Sequence, residues 1–249
     1  MSNTAPHTFI CLAAGKGTRM GRLSSYLQKC MYPIDGLPFV EHTMREVVRS
    51  SLFRPGQTEI VFVVGHHAEQ LSTYFGPEYE GARLRFVRQD TAAGTAHAVQ
   101  TALDALPEPG QVMVWLGDAF FPAQTFEALA SHHDRVAITL VEETDNPALH
   151  HRVDVDGDRL VSTWRGSSPY VEAGLWKLLP EVMAGMRPSD DGEYRMLYVL
   201  EHYIEEGNPV GFVETPEWIQ LGGGGPVRDT ELIEAMARVT GAAAARPKQ

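Results

Sequence analysis

Nearly continuous apolar runs alternate with amphipathic stretches along most of the chain. TFICLAA (8–14), EIVFVVG (59–65) and QVMVWLGD (111–118) have the character of strands buried on both faces. ARLRFVRQ (82–89) and RVAITLVEE (135–143) read as two more strands. Between them, apolar residues recur at helical spacing in PFVEHTMREVVRS (38–50), HAEQLSTYF (67–75) and GTAHAVQTALDAL (94–106), the last opening on Gly-Thr. This β-α-β-α order predicts an α/β fold with a mixed, mostly parallel sheet flanked by helices. After residue 143 the pattern changes. HRVDVDGDRLVSTW (151–164) predicts a β-hairpin turning at Asp156-Gly157. YVEAGLW (170–176), PVGFVE (209–214) and EWIQLG (217–222) predict strands, and GEYRMLYVLEHYIEEG (192–207) and VRDTELIEAMARV (227–239) predict helices. No repeat or linker divides the chain, so one domain over 1–249 is expected. Its parts are a half over 8–143, a smaller hairpin-and-helix subdomain over 144–240 lying on the first sheet like a lid, and mobile ends at 1–7 and 241–249.

Charge narrows the partners. The formal net charge is −11, which disfavours a general basic surface for nucleic acid. An anionic ligand must be met by local cations and backbone amides. The only cysteines are Cys11 and Cys30, which make neither a disulfide framework nor a CxxC pair. The first residues carry no basic segment followed by an apolar run, and apolar runs such as IVFVV are far shorter than the roughly 20 residues of a membrane span. A cytoplasmic location, with no membrane partner, is the expectation. A homo-oligomer is left open.

Such sheets bind ligands at the carboxyl ends of their strands. Three of these ends carry suggestive chemistry: a glycine loop after the first, Gln89 after another and Asp118 after a third. The loop holds Gly15, Gly17 and Gly21 together with Lys16 and Arg19. It contains no GxxxxGK[ST] string, and its GxGxxxG spacing is not that of a dinucleotide fingerprint. The second strand ends in VVGHH, without the acidic residue that would hold a ribose. Hydride transfer is disfavoured. What remains is an anion site: glycines let the backbone approach phosphate oxygens, successive amides can form a nest, and Arg19 can bind a phosphate through two parallel hydrogen bonds.

LAAGKGTRM (12–20) resembles the signature of the sugar-1-phosphate nucleotidyltransferases. QKCMYPIDGLPFV (28–40), QDTAAGTAHAVQTAL (89–103), VWLGDAFF (114–121), YVEAGLW (170–176) and GEY (192–194) resemble that family's later motifs, in order, over roughly residues 8–235. The base-reading step is similar to that of the N-acetylglucosamine-1-phosphate uridylyltransferases. The resemblance implies a Rossmann-like fold, with nucleotide bound by 8–143 and a sugar phosphate by 144–240. It implies attack by a phosphate oxygen of the acceptor on the α-phosphorus of a nucleoside triphosphate, with release of pyrophosphate. Arg19 and Lys29 take the catalytic roles. Leu12, Ala13, Ala14, Gly15, Lys16 and Gly17 bind the nucleotide, and Gln89, Gly94 and Thr95 read its base. Glu172, Gly174 and Glu193 fall on the acceptor side. Asp118 holds Mg2+, with Gln220 or Asp229 as a second ligand. UTP is the favoured nucleotide; thymidine triphosphate and CTP remain open.

The chain departs from the family pattern mainly on the acceptor side. Gln220 stands where many relatives have an aspartate, only Arg165 is available for a Glu-Lys pair, and His150-His151 replaces a Tyr-Gly pair. Leu197-Tyr198 stands for Thr-Asp, and Glu172 for an asparagine. These departures predict an acceptor other than ordinary N-acetylglucosamine 1-phosphate. An acetyltransferase activity is not expected, since no hexapeptide repeats follow. Two other readings are weighed. One is a cytidylyltransferase for a small phosphorylated alcohol such as choline phosphate, caged by Tyr170, Trp176 and Trp218. The other is a nucleotide-binding regulator without catalysis. The pairs His66-His67, His132-His133 and His150-His151 lack a fixed metal-ligand spacing and read as structural. Trp115 and Phe120 read as core.

Overall fold

The computed structural model describes residues 7–142, 152–215, 219–221, 234, 236 and 238. Its strands and helices follow in the order β1 (Thr8–Ala13), β2 (Pro33–Ile34), β3 (Leu37–Pro38), α1 (Phe39–Arg49), β4 (Glu59–Val64), α2 (Ala68–Phe75), β5 (Glu78–Tyr79), β6 (Ala82–Arg88), α3 (Thr95–Asp104), β7 (Val112–Leu116), β8 (Ala119–Phe120), α4 (Ala123–Ser131) and β9 (Ala137–Glu142). The hairpin β10 (Asp154–Asp156) and β11 (Arg159–Ser162) comes next, then β12 (Tyr170–Leu178), α5 (Met196–Glu205), β13 (Gly211–Glu214) and β14 (Ile219–Gln220).

One ten-stranded sheet organises these elements, in the order β10-β11-β13-β9-β12-β7-β1-β4-β6-β5. The central β7, β1, β4 and β6 are parallel, as the alternation of strand and helix predicts. Their side chains alternate between two cores. Phe9, Cys11 and Ala13 of β1 face one core, with residues from α1, α2 and α4. Ile10 faces the other, with residues from α3 and α5. Every residue of β4 is buried, which is why its sequence is a run of apolar residues and not an alternation.

The second half does not lie on the first sheet as a lid; it lengthens that sheet. β12 runs antiparallel between β7 and β9, and β13 pairs in parallel with β9. A bulge between Glu172 and Trp176 breaks the β12–β9 register. The helix expected over 192–207 begins only at Met196, because Tyr194 is tied to Ala93 and Ala96 through its backbone and Arg195 is extended. The helix expected over 227–239 lies largely outside the described residues. Tyr194, Met196 and Thr95 form the seam between the halves: the Tyr194 amide donates to Ala93 O at 2.8 Å, the Ala96 amide to Tyr194 O at 2.8 Å, and the Met196 amide to Thr95 Oγ1 at 2.9 Å.

Candidate active site

The carboxyl ends of β1, β6 and β7 open into a cavity of about 340 Å³. The loop after β1 forms one wall, and Leu12, Ala13, Ala14 and Gly15 all line it. Gly65, at the end of β4, backs that wall. A Cβ there would meet Ala14 O at 2.8 Å, so the close approach of loop and strand requires glycine. Lys16 is exposed and Gly17 half-buried; neither lines the cavity. Gly17 lies against the stem of Lys29, where an added Cβ would come within 3.0 Å of Lys29 Cβ. The Arg19 side chain lies outside what the structure describes.

Gln28 brings Lys29 into place. Its Nε2 donates to Ala13 O at 2.6 Å, its Oε1 accepts from the Cys30 amide at 2.5 Å, and its own amide donates to Gln70 Oε1 at 2.8 Å. A side chain 2% exposed thus ties the end of β1 to the short 3-10 turn Lys29–Met31. No reading of the sequence gave Gln28 a role; it stands out only once the fold buries its amide beside Lys29. Lys29 is 9% exposed, and its Nζ makes an ion pair with Asp118 Oδ2.

Asp118 follows β7, and the geometry there explains the short strand β14. The Leu221 amide donates to Asp118 O at 2.8 Å, and Gln220 pairs with Ala119. Gln220 and Asp118 therefore both line the cavity. Asp229 lies outside the described residues.

Gln89, Gly94 and Thr95 line the same cavity. Gly94 has φ 108°, and a Cβ on it would stand 2.4 Å from Tyr194 O. Only glycine fits. The Thr95 hydroxyl is already engaged, capping α5 through the Met196 amide. Glu193 also lines the cavity, with Arg195 beside it at 3.2 Å. Arg195 is the residue that sequence reasoning missed here, and it donates to Asp191 Oδ2 at 2.5 and 2.7 Å. These bonds, with those from Ser189 and the Glu193 amide, hold the Asp191 carboxyl well below its ordinary range.

Glu172 and Gly174 do not line the cavity. Trp176 Nε1 donates to Glu172 Oε1 at 2.6 Å, and the Gly174 amide donates to the same oxygen. Desolvation raises the Glu172 carboxyl to about 7; those two donors oppose the rise, and the negative charge of Asp118 adds to it. Three of the other departures from the family pattern have structural roles. Arg165 pairs with Asp190, Leu197 is buried, and Tyr198 packs edge-on against Trp164 at 5.3 Å. Tyr170, Trp176 and Trp218 are the residues expected to cage a choline. Trp176 is 1% exposed, Tyr170 bonds Glu214 at 3.1 Å, and Trp218 lies outside the described residues.

Burial pushes the Cys11 and Cys30 thiols up, which keeps them protonated and inert. His132 and His133 stack at 4.5 Å in a loop, where adjacent side chains are free to share a side. With Asp134 their ligand atoms lie within 4.8 Å of one another, but Arg159 already holds both Asp134 oxygens at 3.0 and 3.1 Å. His150 and His151 lie outside the described residues. Among the described residues no helix is long and apolar enough to cross a membrane.

Comparison with known proteins agrees with this architecture. The family model described as the MobA-like NTP transferase domain matches residues 9–208. A UTP–glucose-1-phosphate uridylyltransferase of Haloferax volcanii is 28% identical over 84% of this chain and 88% of its own. The bifunctional protein GlmU of Bacillus velezensis is 30% identical over 83% of this chain, which spans 46% of that longer relative. Two solved structures share the fold. They are the inositol-1-phosphate CTP transferase of T. maritima (TM-score 0.76, 18% identity, 94% of this chain and 96% of that one) and a UDP-glucose pyrophosphorylase bound to UDP-glucose (TM-score 0.69, 17% identity, 94% and 97%).

Proposed function

Since the chain belongs to the MobA-like NTP transferase family and is a nucleotidyltransferase acting on a sugar phosphate, we infer that its cavity takes UTP and a sugar 1-phosphate or a close analogue. The observation that carries this reading is the Lys29–Asp118 pair, which lines one cavity together with Gly15, Gln89 and Gly94. A phosphate oxygen of the acceptor attacks the α-phosphorus. The bond from that phosphorus to the bridging oxygen breaks, and pyrophosphate leaves with the electron pair. Both reactants are anions, so the protein's task is alignment and neutralisation of charge.

The backbone of Ala14 and Gly15, which lines the cavity, receives the β- and γ-phosphates, and Arg19 offsets charge on the leaving pyrophosphate. The Lys29 ammonium serves the α-phosphate and the incoming phosphate. In the free protein Asp118 neutralises it, so substrate takes over the lysine from a waiting partner. A divalent metal is usual for nucleotidyltransferases of this family. The residues here fit Mg2+: the Asp118 carboxylate and the Gln220 amide carbonyl are hard oxygen donors, and both residues line the cavity where β14 pairs with β8. Held by Asp118 and Gln220, such an ion would supply positive charge to the substrate phosphates and act as a Lewis acid in the transfer. Gln89 and Gly94 face the base. Glu193 serves the acceptor from the rim, while Glu172 and Gly174 shape the acceptor side from behind the cavity wall. The departures on that side favour an acceptor other than N-acetylglucosamine 1-phosphate.

A pyrophosphate-release assay tests the reading with four nucleoside triphosphates, Mg2+ and a panel of sugar and cyclitol phosphates. UTP with one of the acceptors should dominate. Silence with every pair would overturn the catalytic reading. Fastest turnover with N-acetylglucosamine 1-phosphate would overturn the inference about the acceptor.

A further inference from the structure

We propose that His97 determines which base the enzyme takes, by locking the Gln89 amide with its carbonyl oxygen turned to the cavity. The inference rests on the reading above that the base lies against Gln89.

The Gln89 side chain is 7% exposed and its nitrogen is held at two points. Nε2 lies 3.2 Å from Gly94 O and 2.8 Å from His97 Nδ1. A backbone carbonyl can only accept, so the nitrogen, and not the oxygen, must occupy that end of the amide. His97 Nδ1 must then accept as well, which places the imidazole proton on Nε2. With both Nε2 hydrogens used, the open end of the amide is Oε1. Among the described residues no side chain or amide donates to it, and Gln89 lines the cavity.

An amide fixed in this way presents lone pairs alone. It pairs with a ring N–H, which uracil and thymine carry at N3. Opposite cytosine N3 or adenine N1 it meets another lone pair. The Gly94 anchor is weak: its bond to Nε2 is long, and the same oxygen accepts from the Ala98 amide at 3.1 Å. His97 therefore supplies most of the orientation. Without it the amide can turn over, offer its nitrogen to the base and accept cytosine. His97 is a positioning residue for specificity, acting through Gln89.

Binding of UTP and of CTP, measured by titration calorimetry with Mg2+ on the intact protein, tests this without knowledge of the acceptor. The readout is the ratio of the two affinities, which a uniform loss of binding leaves alone. The parent should favour UTP. His97→Leu should narrow the ratio by about tenfold, the scale of one lost orienting hydrogen bond. His97→Asn, whose Oδ1 can stand near the place of Nδ1, should keep the ratio within about threefold of the parent, well inside the energy of one hydrogen bond. If His97→Leu does not fold, His97→Phe serves the same purpose. Gln89→Leu should abolish the preference. An unchanged ratio in His97→Leu, with the preference lost in Gln89→Leu, would overturn the role of His97. An unchanged ratio in both would show that the base lies elsewhere, and the placement of the base would fall with it. A parent that binds UTP and CTP equally would also refute the proposal.

Discussion

Substituting Gly94 by alanine tests the seam that joins the two halves of the molecule. Gly94 sits at φ 108° and ψ 175°, a backbone region that costs a residue with a side chain about 1–3 kcal/mol. The added methyl would stand 2.4 Å from Tyr194 O, 2.8 Å from Tyr194 C and 2.9 Å from Tyr194 N. All three are backbone atoms, so no side chain can swing aside, and overpacking of this kind costs a further 1–3 kcal/mol or about that. The expected loss is about 2–6 kcal/mol, or a melting temperature lower by about 4–24 °C for a chain of this size. The clash also pushes residues 192–196 away from α3 and weakens the bonds from Tyr194 and Met196. The KM for the nucleotide should therefore rise. Gly15→Ala is the matched control. A Cβ there meets nothing within 4 Å, so the melting temperature should stay within about 2 °C of the parent, in the range of an ordinary surface change. Calorimetric melting and steady-state kinetics on both variants decide the matter. If Gly94→Ala melts with the parent and keeps its KM, the steric reasoning is wrong.

Three further outcomes follow from the same geometry. Lys29→Met should retain the fold and lose about 10²–10³ in kcat, the scale of one lost transition-state donor; pyrophosphate release measures it. Gln28→Leu removes the ties to Ala13 O and the Cys30 amide, and should cost about 2–3 kcal/mol in chemical denaturation. Its kcat should fall as well, since Lys29 loses its support. Glu172→Gln addresses pH. The folded carboxyl titrates near 7 and an ordinary one near 4.5, so the folded state binds the extra proton between those values. The parent therefore loses stability as pH rises from 4.5 through 7. Glu172→Gln should melt above the parent at pH 8, with the gap closing at or below pH 4.5. Parallel melting curves across that range would refute the assignment.

The parallel core was legible because its strands are short apolar runs and its helices show a clean period. The glycine loop was legible because its residue order is unusual. Placement of the second half was not. YVEAGLW reads as a strand, but nothing local says that it separates β7 from β9, since that pairing depends on contacts far away in the chain. Lys177 is fully buried within β12, with Nζ 2.8 Å from His132 O, and a charged residue there hides the depth of the strand. Within the site, most residues expected on the nucleotide side line one cavity, and their supports were not foreseen. Gln28 and His97 stood only as parts of motifs, and Arg195 as an unremarked residue of an expected helix. Each acts through a partner remote in sequence or at a spacing that only the folded loop creates. Thr95 was foreseen as a reader of the base, and its hydroxyl also starts α5.

The place of β12 bears on how the protein is made. Ribosomes release β7 and β9 well before Leu178, yet those two strands cannot join each other without closing the slot that β12 must fill. The nascent chain must keep two open strand edges apart while some thirty-six further residues are synthesised, counted from Glu142 to Leu178. Premature zipping of β7 onto β9 would be a trap, and open edges of this kind invite aggregation. A message stalled before codon 178 should thus yield chains that depend on chaperones, whereas those released after β13 can complete the sheet unaided.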